Sequence, residues 1–343
     1  MSAYPLPGQV RAVSIGGGTG QPNAIRALRA AGCFVTAIVA MADDGGSTGI
    51  IRQEMGMVPP GDIRKCLVAM AADPAGPLAR AFEHRFSFAD NHSLGNLLLA
   101  SLAAETGSFG EAIELCGEML GCHGKVCPST MENVVLCGCT RDGMEFRGEA
   151  TLGSGPCALS EVWLSPRAPQ ETEAAVEAIL EADVVVLGPG SLFTSVIPNI
   201  LVPSIRDALH ATSARKVYVC SMADMQGETW GLSAEEYVAA LLDHGMEGCL
   251  DAVLLHKPLD ADASLATRRF RAITQTGPSE MGTGDEFFRP VPLSEESLRR
   301  LQARVPLVIV RDFSDPEHPT WHDLSKLKCA LRGVIETCPS RQR

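Results

Sequence analysis

Short, mostly apolar runs alternate along the chain with longer stretches in which apolar residues recur at helical spacing. Such runs are typical of strands that are buried on both faces of a parallel sheet. They occupy residues 10–15, 34–41, 183–187, 216–220, 251–255 and 306–310. Helical spacing is found at residues 22–31, 62–120, 170–182, 233–244 and 321–332. The alternation predicts an α/β fold with a doubly wound, mostly parallel sheet flanked by helices.

Three regions do not fit this simple alternation. Residues 62–120 keep helical spacing over a long distance and are interrupted near Asp73-Pro74 and Asn91-His92, which predicts a helical insertion. Residues 134–164 alternate more strictly and contain turn pairs, so they predict strands with a hairpin. Residues 274–285 are rich in Gly, Ser and Thr and predict a loop. No fixed-period repeat is present, and residues 1–343 are expected to form one domain.

The composition narrows the class of protein. The chain has 343 residues, of which 45% are hydrophobic, and its 29 Lys and Arg against 41 Asp and Glu give a formal charge of −12. That charge repels nucleic acids and acidic membranes. No apolar run reaches the ~18 residues that a membrane span needs. The N-terminus has no leader-like pattern, so we expect a cytoplasmic protein whose 12 cysteines are mostly reduced.

Glycine-rich turns follow two of the predicted strands, at residues 16–20 and 188–190. Glycine lets a phosphate approach the main chain, and the helix that follows presents free N–H groups and a partial positive charge. If both turns lie at one edge of the sheet, they could hold one diphosphate from two sides. The glycine spacing is not G-x-G-x-x-G, so a dinucleotide fingerprint is only weakly supported. Turns that serve packing alone remain the alternative.

Polar residues stand at three further places where predicted elements begin or end. Asp43 and Asp44 follow the second apolar run, where they could hold a ribose, a sugar or a hydrated cation, or form a solvated turn. Asp62 and Arg64 lie at a helix start, where the first could cap the helix and the second could bind a phosphate or carboxylate. Residues 92–96 mark another helix start, with Ser93 as a plain capping residue in the alternative interpretation.

Other chemistries find little support. The cysteines and the histidine between residues 116 and 139 lack the paired C-x-x-C spacing of zinc sites, so buried thiols are the favoured interpretation. H-E-x-x-H and Walker-type motifs are absent from the sequence, and Gly45-Gly-Ser-Thr-Gly49, whose letters match G-x-S-x-G, is interpreted as part of a ligand loop and not as a nucleophile elbow. Hydrolase-triad, zinc-protease and P-loop mechanisms are therefore not favoured.

Five ordered blocks of the sequence resemble the bacterial gluconeogenesis factor family, also called YvcK-like, which is related to 2-phospho-L-lactate transferase (CofD). The resemblance runs from about residue 11 to residue 256, with a weaker tail around residue 311. The blocks are Ile15-Gly-Gly-Gly-Thr-Gly20, Ala42-Asp-Asp-Gly-Gly-Ser-Thr-Gly49, Pro60-Gly-Asp-Ile-Arg64, His92-Ser-Leu-Gly-Asn-Leu97 and Gly188-Pro-Gly-Ser-Leu-Phe-Thr-Ser195.

The resemblance implies a Rossmann-like fold and a nucleotide cleft. Members of the YvcK-like branch bind UDP-sugars, notably UDP-N-acetylglucosamine, and support gluconeogenic growth and normal cell shape, with no established enzymatic activity. The CofD relative transfers a 2-phospholactyl group from a GDP-linked donor to a deazaflavin precursor and uses a divalent metal. The ligand-binding residues expected here are Gly17, Gly18, Thr19, Gly20, Asp43, Asp44, Asp62, Arg64, Asn96, Gly188, Gly190, Ser191, Thr194, Ser195 and Arg311.

The favoured hypothesis is a cytoplasmic regulatory protein that binds a nucleotide sugar and is linked to carbon metabolism and cell shape. The alternative is a CofD-type transferase with Asp43, Asp44 and Asp62 in the catalytic role, and with Asp43 and Asp62 as candidate ligands of a Mg²⁺ ion. The expected partners are a UDP- or GDP-linked small molecule, an unidentified regulatory protein and a second copy of the chain in a homodimer.

The sequence departs from the YvcK-like pattern in places that bear on specificity. Residues 221–229 keep Gly-Glu-Thr but lack the branch's Asn, Thr and Gln, and Gln21-Pro22-Asn23 replaces small or apolar residues after the first glycine turn. The branch's sugar-nucleotide tyrosine has no clear match near residues 260–275, where Phe270 is a candidate stand-in. The sequence therefore leaves the base and the sugar of the ligand open.

Overall fold

The structure is a computed structural model that describes residues 4–154, 157–225, 227–256, 268–269, 287–318 and 320–337. The strands are β1 Arg11–Gly16, β2 Phe34–Val39, β3 Arg85–Phe86, β4 His92–Ser93, β5 Lys125–Pro128, β6 Val135–Thr140, β7 Glu145–Arg147, β8 Leu159–Ser165, β9 Val184–Leu187, β10 Arg215–Val219, β11 Ala223–Met225, β12 Ala252–His256, β13 Arg268–Arg269, β14 Phe287–Pro290 and β15 Leu307–Arg311. The helices are α1 Gln21–Ala30, α2 Gly46–Met55, α3 Gly61–Met70, α4 Pro77–Glu83, α5 Leu94–Thr106, α6 Phe109–Met119, α7 Glu173–Glu181, α8 Ile197–Ile200, α9 Pro203–Ala211, α10 Ala234–Leu241, α11 Glu295–Arg304 and α12 Leu324–Glu336.

Seven strands form the central sheet in the order β5-β2-β1-β9-β10-β12-β15. Every neighbouring pair in this sheet is parallel. The chain first moves outward from β1 to β2 and β5, then returns to the other side of β1 and moves outward again. This reversal between β1 and β9 is the topological switch point of a doubly wound sheet, where ligands bind beyond the carboxyl ends of the strands. The Rossmann-like α/β fold predicted from the sequence is confirmed.

The central strands are buried because their sequences are apolar on both faces. Every residue of β2 and of β9 is buried, and β1 is buried from its second residue onward. Helices cover both faces of a parallel sheet, so neither side of these strands can tolerate an exposed polar residue. The almost wholly apolar runs at 34–41 and 184–187 follow from this constraint.

The predicted helical insertion is the crossover that joins β2 to β5. It contains α2 to α6 and the short antiparallel pair β3 and β4. The interruptions expected near residues 73 and 91 separate α3 from α4 and α4 from α5. Strand β5 was not predicted, because its sequence Lys-Val-Cys-Pro is short, begins with an exposed lysine and lies at the edge of the sheet.

The second half of the chain also matches the predicted elements, with shifted boundaries. Strands β6, β7 and β8 form the expected antiparallel unit in the order β7-β6-β8. The helix predicted over 170–182 begins at Glu173, and the one predicted over 321–332 spans Leu324–Glu336. The predicted loop at 274–285 and Phe270 lie outside the described residues. Among those that are described, no helix has the length and apolar character to cross a membrane.

A buried amide side chain joins β1 to β2 beneath the first glycine turn. Gln21 is the first residue of α1 and is fully buried, and its Nε2 donates to the carbonyl oxygens of Ser14 and Ile38, each at 2.9 Å. Pro22, which lacks an N–H, stands in the first turn as the sequence predicted. Gln21 thus fixes the start of α1 against the two strands that precede and follow it.

We expect the substitution Gln21→Ala to lower the free energy of unfolding by about 2 kcal/mol, because two buried carbonyl groups lose their donor. Urea unfolding monitored by circular dichroism measures this loss. The control is Gln53→Ala in α2, an exposed glutamine whose removal should change the stability by less than about 0.5 kcal/mol. Equal effects of the two substitutions would contradict the proposed role of Gln21.

Candidate functional site

The two glycine turns meet at the switch point of the sheet. Gly16–Gly20 leaves β1 and Gly188–Ser191 leaves its neighbour β9, so both turns lie at the carboxyl edge. A Cβ atom on Gly20 would lie 2.4 Å from the carbonyl oxygen of Pro189 and 2.9 Å from the Cα of Gly190. The main chains of the turns are therefore in direct contact, and a side chain at residue 20 would force them apart.

Some of the main-chain N–H groups at and after these turns already donate hydrogen bonds to carboxylates of the protein. The amide of Gly18 donates to Oδ2 of Asp62. The amides of Phe193 and Thr194, which follow the second turn, donate to Oε1 of Glu228 at 2.8 and 3.2 Å. These amides were expected to face a ligand phosphate, but here two acidic side chains take the place of the phosphate oxygens.

Hydroxyl groups complete the rim around the glycine turns. The Oγ of Ser195 would lie 3.2 Å from a Cβ on Gly18, so this hydroxyl stands directly beside the first turn. Thr194 and Ser191 are half-buried at the start of the same segment, and Thr19 is exposed in the first turn. Asn199, which sequence reasoning missed, donates from Nδ2 to the carbonyl oxygens of Gly16 and Ser195 and so ties the segment to the first turn.

Asp43 and Asp44 occupy the loop between β2 and α2, and their carboxylates point to different places. Oδ1 of Asp43 accepts from the amide of Gly45 at 2.9 Å, which orders its own loop. Oδ1 of Asp44 accepts from the amide of Ala150 at 2.7 Å, at the start of a short 3-10 helix that follows β7. The doublet therefore links the β2 loop to the small antiparallel sheet and is more than a solvated turn.

Helix α3 carries Asp62 and Lys65 on the face that looks at the first glycine turn. Nζ of Lys65 lies 2.9 Å from Oδ1 of Asp62, and the two residues are one helical turn apart. Asp62 does not cap α3, since the capping position is Pro60 and its side chain makes no cap. Arg64 is two residues from Asp62, and residues so spaced do not share a helix face. Arg64 therefore points away from Asp62 around α3, and its stem lies against Gly95, the residue before Asn96 in α5.

The carboxylates near the switch point perturb one another. Burial, and next the nearby charge of Asp62, raises the pKa of Asp43 to about 6. Burial alone would also raise the pKa of Asp62, but Lys65 and the Gly18 amide outweigh it and lower that pKa. Burial raises the pKa of Glu149 well above its usual value, with Asp43 and Asp62 adding to the effect.

The structure thus adds four residues to the site that the sequence did not single out, namely Lys65, Glu149, Asn199 and Glu228. Glu228 lies in the Gly-Glu-Thr run at 227–229 that the resemblance noted, so a signal existed for it. Nothing in the sequence around Glu149 marked it as a site residue, because its position depends on how the antiparallel unit folds back onto the loop between β2 and α2.

Arg311 lies far from the glycine turns. It ends β15, which is four strands away from β1 at the opposite edge of the sheet. At a strand spacing of 4.7–4.9 Å, the two strands are about 19 Å apart. Arg311 therefore shares the carboxyl edge with the other predicted residues, but it does not contact them.

Asp43 and Asp62 alone make an incomplete metal site. Among the residues that the structure describes, no group of three or more His, Cys, Asp or Glu is arranged to hold an ion. Mg²⁺ is commonly held by one or two carboxylates together with substrate phosphates and water. Asp43 and Asp62 by themselves therefore supply fewer ligands than such a site needs, and phosphate and water oxygens would have to supply the others. The described cysteines are free thiols and form no cluster of this kind.

The fold and the site define a Rossmann-like α/β protein with an acidic cleft at its switch point. The family model described as "2-phospho-L-lactate transferase CofD" matches residues 12–279. The gluconeogenesis factor of Halalkalibacterium halodurans is 41% identical over 248 residues, which are 71% of this chain and 76% of that protein. A putative gluconeogenesis factor of Streptococcus pyogenes serotype M1 is 38% identical over 264 residues, 75% of this chain and 81% of the relative.

A solved structure agrees with these relatives. The crystal structure of a UPF0052 family protein from Bacillus halodurans superimposes with a TM-score of 0.82 at 35% sequence identity, over 94% of this chain and 98% of that one. The chain belongs to the gluconeogenesis factor family, within the wider group of sequences that the CofD model matches.

The raised pKa of Asp43 predicts a pH dependence of stability. Between pH ~4 and pH ~6 the folded protein holds a proton that the unfolded chain has lost, so the free energy of unfolding falls as the pH rises through this window. We expect Asp43→Asn to reduce that fall, with Glu149 supplying the remainder, and to stabilise the protein at pH 7.5 by about 1–2 kcal/mol. Urea unfolding between pH 4 and pH 7.5 measures both effects.

The control for this experiment is Asp207→Asn, which replaces an exposed carboxylate in α9. It should leave the slope of stability against pH unchanged over the same window. The assignment would be contradicted if the free energy of unfolding changed with pH in the same way for the wild type and for Asp43→Asn between pH 4 and pH 6.

Proposed function

We propose that the chain is a regulatory protein that binds a nucleotide sugar, such as a UDP-linked sugar, in the cleft at the switch point. The observation that carries the proposal is the contact of two glycine turns beside hydroxyl donors and carboxylates at the carboxyl edge of β1 and β9. Main chain without side chains lets a diphosphate come close. The names of the relatives support a role in carbon metabolism, and the family resemblance supports a role in cell shape.

The polarity of the cleft suggests how such a ligand is oriented. Carboxylates are hydrogen-bond acceptors, so Asp43 and Asp44 suit the hydroxyl groups of a ribose or a sugar. The donors that remain for phosphate oxygens are Nζ of Lys65 and the Oγ of Ser195, both beside the first turn. The diphosphate would then face the turns, and the sugar hydroxyls would face the loop between β2 and α2.

A regulatory role requires that the ligand favours one of two conformations. A ligand shifts such an equilibrium only by its difference in affinity for the two states. The linked loops at 43–45 and 148–150 are the segments that a ligand in this cleft would contact together, since Asp44 joins them. A protein partner that contacts the small antiparallel sheet could sense this change.

We expect UDP-N-acetylglucosamine to bind the wild-type protein and to raise its Tm, because a ligand of the native state stabilises that state. Asp43→Asn should weaken binding by about tenfold, since it replaces a charged acceptor. The same substitution is expected to stabilise the unliganded protein, so a loss of binding cannot be ascribed to unfolding. Isothermal titration calorimetry measures the affinity, with Asp207→Asn as the control that should bind normally. Absence of binding for all UDP- and GDP-linked sugars would refute the proposal.

A second candidate function is phosphoryl-type transfer as in CofD, and the match of the family model to residues 12–279 favours it. The geometry that supports it is the pair Asp43 and Asp62, which fits a Mg²⁺ ion shared with a ligand phosphate. Bound Mg²⁺ would neutralise charge on the transferred group. The chain itself would position the donor through the glycine turns and Lys65, since such reactions depend on positioning and electrostatic stabilisation.

Transferase activity predicts release of a nucleotide from a diphosphate-linked donor only when Mg²⁺ is present. Asp43→Ala and Asp62→Ala should each reduce that turnover by at least about 100-fold, because each would remove a carboxylate ligand of the Mg²⁺ ion. Chromatography of the released nucleotide measures the rate. Binding of nucleotide sugars without any Mg²⁺-dependent release would leave the regulatory function and exclude this one.

A further inference from the structure

The most unusual side chain outside the glycine turns is Arg64. It is 1% exposed, yet its Nε and Nη1 atoms have no hydrogen-bond partner in the described part of the chain. A buried charge with unmade hydrogen bonds is costly, so such groups are normally paired. Among described residues it forms no ion pair, whereas the neighbouring Lys65 is paired with Asp62.

The position of Arg64 on α3 separates it from the proposed nucleotide cleft. At 100° per residue, residues 62 and 64 point about 200° apart around the helix axis. A Cβ on Gly95 would lie 2.8 Å from both Cγ and Cδ of Arg64, and 2.8 Å from a ring carbon of Phe82. The stem of Arg64 therefore packs between α4 and the first turn of α5.

Further groups of the same character surround the first turn of α5. Nδ1 of His92, which donates in one tautomer, is buried and has no partner among the described residues. Oδ1 of Asn96 is also buried without a partner there, but it is an acceptor, so Asn96 can contribute a donor to an anion only through its Nδ2. Arg85 is half-buried and donates to the Ser47 hydroxyl at 3.3 Å and to the Asn91 carbonyl oxygen at 2.8 Å. Burial, and next the charge of Arg85, lowers the pKa of Arg64 to about 10, so the two guanidinium groups are close neighbours.

The helix itself adds to this positive environment. Helix α5 has 13 residues and begins after Ser93, whose hydroxyl accepts from the amide of Asn96. The N-terminus of such a helix carries a partial positive charge that favours anions. Arg85 pairs across β3 and β4 with Ser93, the residue that caps α5, and the stem of Arg64 packs against Gly95 in the first turn of that helix. Arg64 forms no ion pair among the described residues, although the charges of Glu83 and Asp62 act on it.

We propose that Arg64, Arg85, His92, Asn96 and the first turn of α5 form a second site, separate from the glycine turns, that binds a phosphoryl group. A phosphoryl group carries −1.5 to −2 charges near neutral pH and three acceptor oxygens, so it matches two guanidinium groups and a helix N-terminus better than a carboxylate does. Its oxygens accept from Nε and Nη1 of Arg64. This inference does not depend on the proposed nucleotide-sugar function.

Inorganic phosphate is the probe for this site, and the full-length wild-type chain is the protein to test. At constant ionic strength, saturating phosphate should raise the Tm by about 2–3 °C, and acetate should raise it by less than about 1 °C. Arg64→Gln and Arg85→Gln should each weaken phosphate binding at least tenfold in calorimetry. Arg85 is half-exposed, so Arg85→Gln keeps the test valid if Arg64→Gln does not fold. Arg300→Gln in α11 removes an exposed charge of the same sign and should bind phosphate normally.

The competing outcomes are distinct. No phosphate binding by the wild type, or unchanged affinity in Arg64→Gln and Arg85→Gln, overturns the proposal. Acetate binding of equal strength overturns the assignment to a phosphoryl group. Displacement of phosphate by UDP-N-acetylglucosamine overturns the separation of the two sites. A wild type that binds phosphate and fails to bind any nucleotide sugar supports this inference and refutes the proposed function alone.

Discussion

The architecture of this protein depends on the main-chain contact between the turns that leave β1 and β9. These strands are parallel neighbours at the point where the strand order reverses, so the chain must leave both at the same edge. A Cβ on Gly20 would overlap the Pro189 carbonyl oxygen, which means that only glycine permits this approach. Asn199 then bonds the carbonyl of Gly16 across the same gap. Packing alone therefore explains the glycine at residue 20, whereas Gly17 and Gly18 face Asp62 and Ser195.

Helix α3 divides the surroundings of this contact into an acidic and a basic side. Asp62 fills the first glycine turn with its own carboxylate, and Asp43 and Glu149 bring further negative charge to that side. Arg64, on the opposite face, looks toward α5 and another arginine. Asp62 and Arg64 thus lie on opposite faces of α3, and this keeps the two opposite charges from pairing with each other. Both sides keep an unbalanced charge, and such an imbalance is typical of sites whose ligand completes them.

Much of the fold could be predicted from the sequence, because parallel strands must be apolar on both faces and their turns are marked by glycine and proline. The runs at 34–41 and 183–187, Pro22 at the start of α1 and the cap at Ser93 all follow from local rules. Edge strand β5 could not be predicted, since only one neighbour and partial burial act on it. The partner of Asp62 is equally hidden, because Gly18 lies 44 residues away and their contact depends on the packing of α1 against α3.

The two candidate functions differ in how the charge of Asp43 is compensated. In the free protein this carboxyl is close to Asp62 and its pKa is raised to about 6, so near neutral pH it carries a charge that the fold disfavours. In the proposed regulatory function, a sugar hydroxyl that donates to Asp43 would relieve part of this cost; in the proposed transferase, a divalent cation shared with Asp62 would relieve more, because it would act on both carboxylates. A diphosphate would bring further negative charge to the same place. In a chain with a formal charge of −12, the cation would then become more favourable as the phosphates approach, so the transferase proposal implies that ligand and metal affinities are coupled.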